Sequence, residues 1–556
     1  MIVYSERTRR ADPRALLEEL RAGLFAGGEP DEALLIAAGV LEAGVTDALS
    51  PEEDDEPEAA RPFARVTREL AQARRGDGAA QARALAAVDE AARGPLPRVV
   101  EVTEPEGFAF YALMPELHAE AARRFAVAVR PARATVVGLR SIGTTLAAVV
   151  AAELVAAGVA VRVVTVRPRG HPFERELRLG SRLRAALEQA DHVLIVDEGP
   201  GISGSSFAAA AEAALRAGVP EGRIALFPSW DSDGTGLRSE RARALWPRLS
   251  RWVVGFEEAF VDTGRLAAPW GGGALRDLSG GLWRELIPER ERPAVQPQHE
   301  RRKYRLARED GPLLLKFAGL GERGRRMLAR AEAQAAAGLA PEPVGLADGF
   351  LALRFVEGRL VGALDDATMG AVGRHLAWVA RQAPVGQVRA GELLELTRTN
   401  VAEGLGEGVA ERLGWMEAQA GVVEARPAVA VDGRMLPQEW LRTGRGVLKT
   451  DGLDHHDDHF WPGTQDIAWD LAGAMTEFGM DAEARERLVG DYIAATGDRG
   501  VREVLAFQET AYLAWRLGYA SLAAETLGDG PDGRGMARAR DGYAAALRAA
   551  IERGAA

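Results

Sequence analysis

The chain has 556 residues, 47% hydrophobic and 27% charged, the balance of a soluble globular protein too long for one core, so two or three domains are expected. A net charge of −12 argues against non-specific nucleic-acid binding, and the absence of cysteine excludes disulfides, thiolate nucleophiles and cysteine–zinc sites. No basic and apolar leader and no apolar run long enough to span a bilayer is visible, which predicts a cytoplasmic protein with no membrane partner.

The first 95 or so residues read as a helical extension. Ala15 to Phe25 and Glu32 to Leu41 have helical apolar spacing. Leu49 to Pro62 is acidic and contains prolines, so it reads as a mobile loop. The segment Glu104 to Met114 carries Phe108, Phe110 and Tyr111 and opens a helix reaching Val129. These aromatics either pack beside a sheet or form a wall against which a planar base stacks.

Regular alternation follows. The apolar run Ala134–Leu139 leads into Arg140-Ser141-Ile142-Gly143-Thr144-Thr145 and a helical run from Leu146 to Ala157. A strand over Val159–Val166 precedes the basic, Pro/Gly-punctuated loop Arg167-Pro168-Arg169-Gly170-His171-Pro172. The third strand lies within His192 to Val196, ends in Asp197-Glu198, and gives way to Gly199-Pro200-Gly201-Ile202-Ser203-Gly204-Ser205 before a helix from Ser206 to Ala217. The strand Arg223–Phe227 closes the series. This order predicts an α/β fold with a doubly wound parallel sheet, whose ligands sit outside the carboxyl ends of the strands. A loop of small residues opening a helix suits a phosphate, and two acids before it suit sugar hydroxyls or their metal.

The stretch from Val193 to Ser205 resembles the PRPP-binding motif of the type I phosphoribosyltransferases. The resemblance implies that Asp197 and Glu198 hold the ribose hydroxyls and Mg²⁺, and that Gly201, Ile202, Ser203, Gly204 and Ser205 wrap the 5-phosphate. It implies that Arg140, Ser141, Gly143 and Thr144 receive the pyrophosphate. Arg167, Arg169 and His171 fall where the family has its flexible catalytic loop. On this reading catalysis rests on positioning and on cations where charge grows on the departing pyrophosphate, with PRPP and an unknown, nitrogenous small-molecule acceptor as partners. A homodimer is also implied.

Residues 236–298 lose the alternation, and Pro288 to Gln298 has linker composition. Beyond it, Tyr304-Arg-Leu and Pro312 to Phe317 read as paired strands, Arg325 to Ala337 as a helix, and Gly349 to Gly358 as a strand with its exit. This series resembles the amino-terminal lobe of the aminoglycoside phosphotransferase and choline kinase group, which is protein-kinase-like. The resemblance makes Lys316 the lysine on nucleotide phosphates, Glu332 its helix partner, and Phe355 to Gly358 the hinge. Asp432 to Leu441 sits where the family has its catalytic loop. If Pro437 matches that loop's proline, the catalytic Asp becomes Arg434, which stays protonated, and the metal-binding Asn becomes Glu439. Val447 to Asp451 resembles the strand ending in the metal-binding Asp, and Gln465 to Ala472 the helix start after it. Mg²⁺ at Asp451 and ATP at this domain are thereby implied.

The run Asp454-His455-His456-Asp457-Asp458-His459 belongs to neither resemblance. Its ligand types suit zinc, manganese or iron, or a polar loop whose members bond one another. The expected organisation is therefore a helical extension (1–95), a phosphoribosyltransferase-like domain (96–235), an extension and Pro-rich linker (236–298), and a two-lobed kinase-like α+β domain (299–556). Three functions compete: phosphoribosyl transfer from PRPP, sensing of PRPP or a nucleotide without turnover, and small-molecule phosphorylation by the carboxyl-terminal domain.

Overall fold

The computed structural model describes residues 1–5, 7–26, 32–362 and 364–555. The chain forms two compact units: Arg7–Gly272 with Gly319–Arg323, and Met1–Glu6 with Gly273–Ala318 and Gly324–Ala556. Among the described residues no helix is long and apolar enough to cross a membrane.

In the first unit β1 (Thr8–Ala11) pairs antiparallel with β2 (Val100–Thr103), a small sheet the sequence did not suggest. The main sheet is parallel. Its strands β3 (Arg133–Leu139), β4 (Ala160–Val166), β5 (Val193–Val196), β6 (Ile224–Phe227) and β7 (Ser250–Arg251) lie in the order β4-β3-β5-β6-β7. Residues Val193 to Val196 and Ile224 to Phe227 are buried throughout, as strands covered on both faces must be. The chain order reverses between β3 and β5, which opens a crevice at their carboxyl ends.

Helix Ile142–Ala156 is apolar on all sides because it is buried on all sides. Its Ala148, Val149 and Ala152 pack against Leu35, Leu41, Val45, Phe63, Val66 and Leu70. The amino-terminal helices, among them Glu32–Leu49 and Arg61–Ala73, are thus part of this unit's core. The helix expected from Glu104 to Val129 is two helices, Glu106–Phe110 and Pro115–Val129. Ala112 has φ +53° between them, and Pro115 begins the second. Phe108 and Phe110 are buried, so they serve the core, while Tyr111 is exposed.

The second unit holds an antiparallel sheet of β8 (Leu275–Asp277), β9 (Lys303–Leu306), β10 (Leu313–Phe317), β11 (Pro343–Ala347) and β12 (Phe350–Arg354), ordered β11-β12-β10-β9-β8. The segment expected to be extension and linker therefore contributes an edge strand. Alternation along β10 buries Leu313, Leu315 and Phe317 on one face and turns Leu314 and Lys316 to the other. The hairpin β14 (Trp440–Thr443) and β15 (Gly446–Lys449), with β13 (Arg359–Leu360), forms a second sheet. Helices Asp366–Ala380, Ala390–Leu405, Ala468–Glu477 and Val501–Leu527 enclose a core containing Trp469, Tyr512 and Trp515.

Two glycines let the first unit's loops close up. A Cβ on Gly138 would stand 2.5 Å from the carbonyl oxygen of residue 143, and one on Gly143 would stand 2.6 Å from the Val196 carbonyl oxygen. Gly143→Ala is expected to lower this unit's stability by about 1–3 kcal/mol, read as an earlier thermal transition. A variant that melts with wild type would contradict such close seating.

Candidate active site

In the first unit the three expected loops meet at the carboxyl edge of the parallel sheet. The loop after β3 reaches the end of β5, for a Cβ on Gly143 would lie 3.2 Å from Asp197 Oδ1. Ser141 is held at φ +117°, which L side chains avoid. Thr144 is buried, and its Oγ1 has no hydrogen-bond partner among the described residues. Gly201 and Ile202 are exposed, and Gly204 (φ +68°) leads into helix Ser205–Arg216. The Ser203 and Ser205 hydroxyls lie 3.0 Å apart, and Ser205 donates to the Pro172 carbonyl (2.6 Å). That bond ties the phosphate-type loop to the loop after β4. His171 lies exposed on that loop and accepts at Nδ1 from the Phe173 N–H (3.3 Å).

The three arginines are not free cations. Arg140 donates to Asp47 (2.5 Å) and to Asp54 (2.5 Å), and the Arg140 and Asp54 side chains are both fully buried. Arg167 pairs with Asp47, and its N–H donates to Asp54 (2.9 Å). Arg169 pairs with Asp54 (2.9 Å). The Leu49–Pro62 segment, expected to be mobile, is anchored by these pairs and by Asp54 N–H to the Arg178 carbonyl (2.7 Å). These carboxylates of the chain pair with the arginines that the resemblance assigns to pyrophosphate and to the catalytic loop.

Asp197 and Glu198 have no such compensation. Burial raises the Asp197 carboxyl to about 7, despite the Glu198 N–H and the more distant Arg167 charge. Burial, with the Asp197 and Glu106 charges added, raises Glu198 to about 8. No third His, Asp or Glu of the described residues completes a three-ligand group with this pair.

In the second unit a cavity of about 1060 Å³ runs from the apolar Leu314, Leu353, Phe355 and Val356 to Lys316 and Asp451 and on to Tyr519. Lys316 Nζ donates to Asp451 Oδ1 (2.6 Å) and Asp454 Oδ1 (3.0 Å). Burial opposes the lysine's charge, but the two carboxylates outweigh it and hold its pKa above the ordinary value. The expected pairing with Glu332 is corrected: Glu332 is exposed, one position beyond the buried Ala331. The helix gives this region Gln334 instead, whose Nε2 donates to the Gly452 carbonyl (3.3 Å).

The loop after Val431 is clamped from below. Asp470, on helix Ala468–Glu477, accepts from the N–H groups of Asp432 (2.7 Å) and Gly433 (2.8 Å). Lys449 bridges Glu439 (2.6 Å) and Asp432 (3.1 Å). Burial pushes the Glu439 carboxyl up, outweighing Lys449 and His455.

The histidine-rich run is held mainly by partners outside it. Asp454 and Asp458 hold Arg301 (3.4 and 2.9 Å), His459 Nδ1 lies 2.9 Å from Asp458, and its ring stacks on Tyr4. His455 lies between two carboxylates, with Nδ1 3.4 Å from Asp432 and Nε2 3.7 Å from Asp451. Ligand atoms of Asp451, Asp454 and His455, and of Asp432, Glu439 and His455, lie close enough to share an ion. The carboxylate oxygens of Asp451 and Asp454 fit Mg²⁺, which prefers oxygen and retains water. Lys316 already holds both carboxylates, so an ion there would share them with it.

No protein-family model matches this sequence, and no curated protein does. Among solved structures, choline kinase LicA from Streptococcus pneumoniae is 15% identical over 44% of this chain and 89% of its own, with a TM-score of 0.33. A choline/ethanolamine kinase family protein from Mesorhizobium loti is 17% identical over 45% and 85%, TM-score 0.34. Macrolide 2'-phosphotransferase MphH from Brachybacterium faecium is 20% identical over 51% and 97%, TM-score 0.33. Likenesses of this size assign neither fold nor activity, so the residues of the cavity have to carry the assignment.

Sequence reasoning did not single out Asp47, Asp54, Lys449 or Asp470. The only signal for the first two was an acidic segment upstream of a basic loop. For Asp197 and Glu198 the electrostatics give a direct test. Their folded pKa values exceed the ordinary ones, so the folded state holds more protons than the unfolded state between about pH 4 and 8. Stability from this pair is present at low pH and lost as pH rises through that window. The double variant Asp197→Asn/Glu198→Gln is expected to melt above wild type at about pH 8.5, by on the order of 1 kcal/mol or more, and to lose that advantage at about pH 5. A difference that does not change with pH would contradict the account.

Proposed function

We propose that the second unit is a nucleotide-dependent phosphotransferase acting on a small molecule. The observation that carries this is the buried Lys316 ammonium, 2.6 Å from Asp451 and 3.0 Å from Asp454 in the cavity beside Phe355 and Val356. A lysine beside paired carboxylates provides positive charge for phosphate oxygens and oxygen ligands for Mg²⁺. Asp451 and Asp454 would hold that ion, which supplies charge neutralisation on the phosphates when bound. The apolar side chains of Leu314, Leu353 and Phe355 suit the face of a base. Phosphoryl transfer depends mainly on positioning and electrostatic stabilisation. This fits a site with Arg434, rather than a carboxylate, in the loop held by Asp470. Lys316→Met and Asp451→Asn are each expected to weaken Mg·ATP binding, measured calorimetrically, by about tenfold or more, the scale of one charge-assisted contact. Glu332→Ala is expected to leave it unchanged. Equal binding by all four proteins would overturn the assignment.

A second reading applies to the first unit, favoured by Asp197 and Glu198 standing before the Gly201–Ser205 loop at the sheet's switch point. We read this as a site for a phosphorylated ribose. The engaged arginines argue against the room for pyrophosphate that transfer from PRPP needs, so binding without turnover is the favoured form. Asn at 47 and 54 would keep the hydrogen-bonding oxygens and remove the charge. Asp47→Asn/Asp54→Asn is therefore expected to bind magnesium pyrophosphate about tenfold more tightly than wild type. No gain would contradict the view that these carboxylates block an anion subsite.

A further inference from the structure

Most of the charged side chains deep in the second unit's cavity are paired with one another. Lys316 is paired with Asp451 and Asp454, Arg301 with Asp454 and Asp458, and Lys449 with Asp432 and Glu439. Arg434 lines the same cavity, yet its guanidinium makes no hydrogen bond or ion pair to any described residue. Glu439, Tyr519, Asp458 and Asp451 act on it only through space, and each of those three acids has a cation in direct contact.

Arg434 is partly exposed at the cavity wall, so an anion entering the cavity meets a guanidinium with no protein partner to displace. The loop that carries it is fixed, since Asp470 binds the two preceding backbone N–H groups. His299 and Tyr519, whose Nδ1 and hydroxyl lie 3.2 Å apart, line the cavity with it and add neutral hydrogen-bonding groups. Guanidinium is a planar fork that matches a carboxylate or phosphate through two parallel bonds, and it repels an amine or quaternary ammonium.

We propose that Arg434 anchors an anionic group, phosphate or carboxylate, of the small molecule that shares this cavity with the nucleotide. The phosphoryl acceptor is then an acidic metabolite, and Arg434 sets its specificity. This inference rests on the nucleotide reading of the same cavity. The two are separated by measuring Mg·AMP-PNP binding first, to wild type and to Arg434→Gln and Arg434→Lys. Inorganic phosphate and tetramethylammonium are then titrated into the nucleotide-loaded proteins.

The expected result is phosphate binding to wild type, weakened about tenfold in Arg434→Gln and partly retained in Arg434→Lys, with nucleotide affinity altered less than about twofold. Parallel loss of nucleotide affinity would overturn the proposal by assigning Arg434 to the nucleotide's own phosphates. Phosphate binding indifferent to Arg434, or binding of tetramethylammonium in place of phosphate, would overturn it while leaving the nucleotide reading intact. Failure of wild type to bind Mg·AMP-PNP would remove both.

Discussion

The Lys316 ammonium between Asp451 and Asp454 is the contact on which the second unit's site depends. One partner follows β15 and the other opens the histidine-rich run, so a single lysine on a sheet strand fixes two loop positions at once. Arg301 then takes the other oxygen of Asp454 and reaches Asp458, which passes the constraint to the far end of that run. Buried ion pairs of this kind contribute little net stability over apolar packing, because desolvating the charges offsets their attraction. Their value here is placement. They hold charged groups in a cavity where a phosphate or a metal ion can exchange for a protein partner.

The first unit solves a related problem differently. Three arginines converge on loops at the sheet's carboxyl edge, where their mutual repulsion requires anions. The chain supplies these as Asp47 and Asp54. The nearby Asp197 and Glu198 remain uncompensated and are driven toward the protonated state by burial. One side of the crevice is thus electrostatically satisfied from within, and the other is relieved by taking up protons.

Much of the secondary structure was legible in the sequence, for identifiable reasons. The strands around Val136, Ile195 and Leu226 are continuous apolar runs because both faces are covered. The Gly/Ser loop before Ser205 is visible because only small residues allow its turn. Lys316 and Asp451 stood out because each ends or occupies a short apolar strand. What escaped was long-range pairing between charged side chains. Glu332 was the acid on the helix expected after the Lys316 strand, whereas Lys316 is paired with residues more than a hundred positions away. The Leu49–Pro62 segment looked disordered by composition because its counter-charges, Arg140 and Arg169, lie far along the chain. The edge strand Leu275–Asp277 is three residues long, too short for any periodicity to register.

Hydrogen–deuterium exchange on the full chain, with and without Mg·ATP, tests the central claim most directly because it reports where a nucleotide acts. The account predicts slower exchange in the segments around Lys316 and from Lys449 to Asp458, with the helix face around Glu332 unaffected. Protection confined to other segments, or none despite saturating nucleotide, would contradict the claim that the lysine and its two carboxylates form a phosphate-binding site.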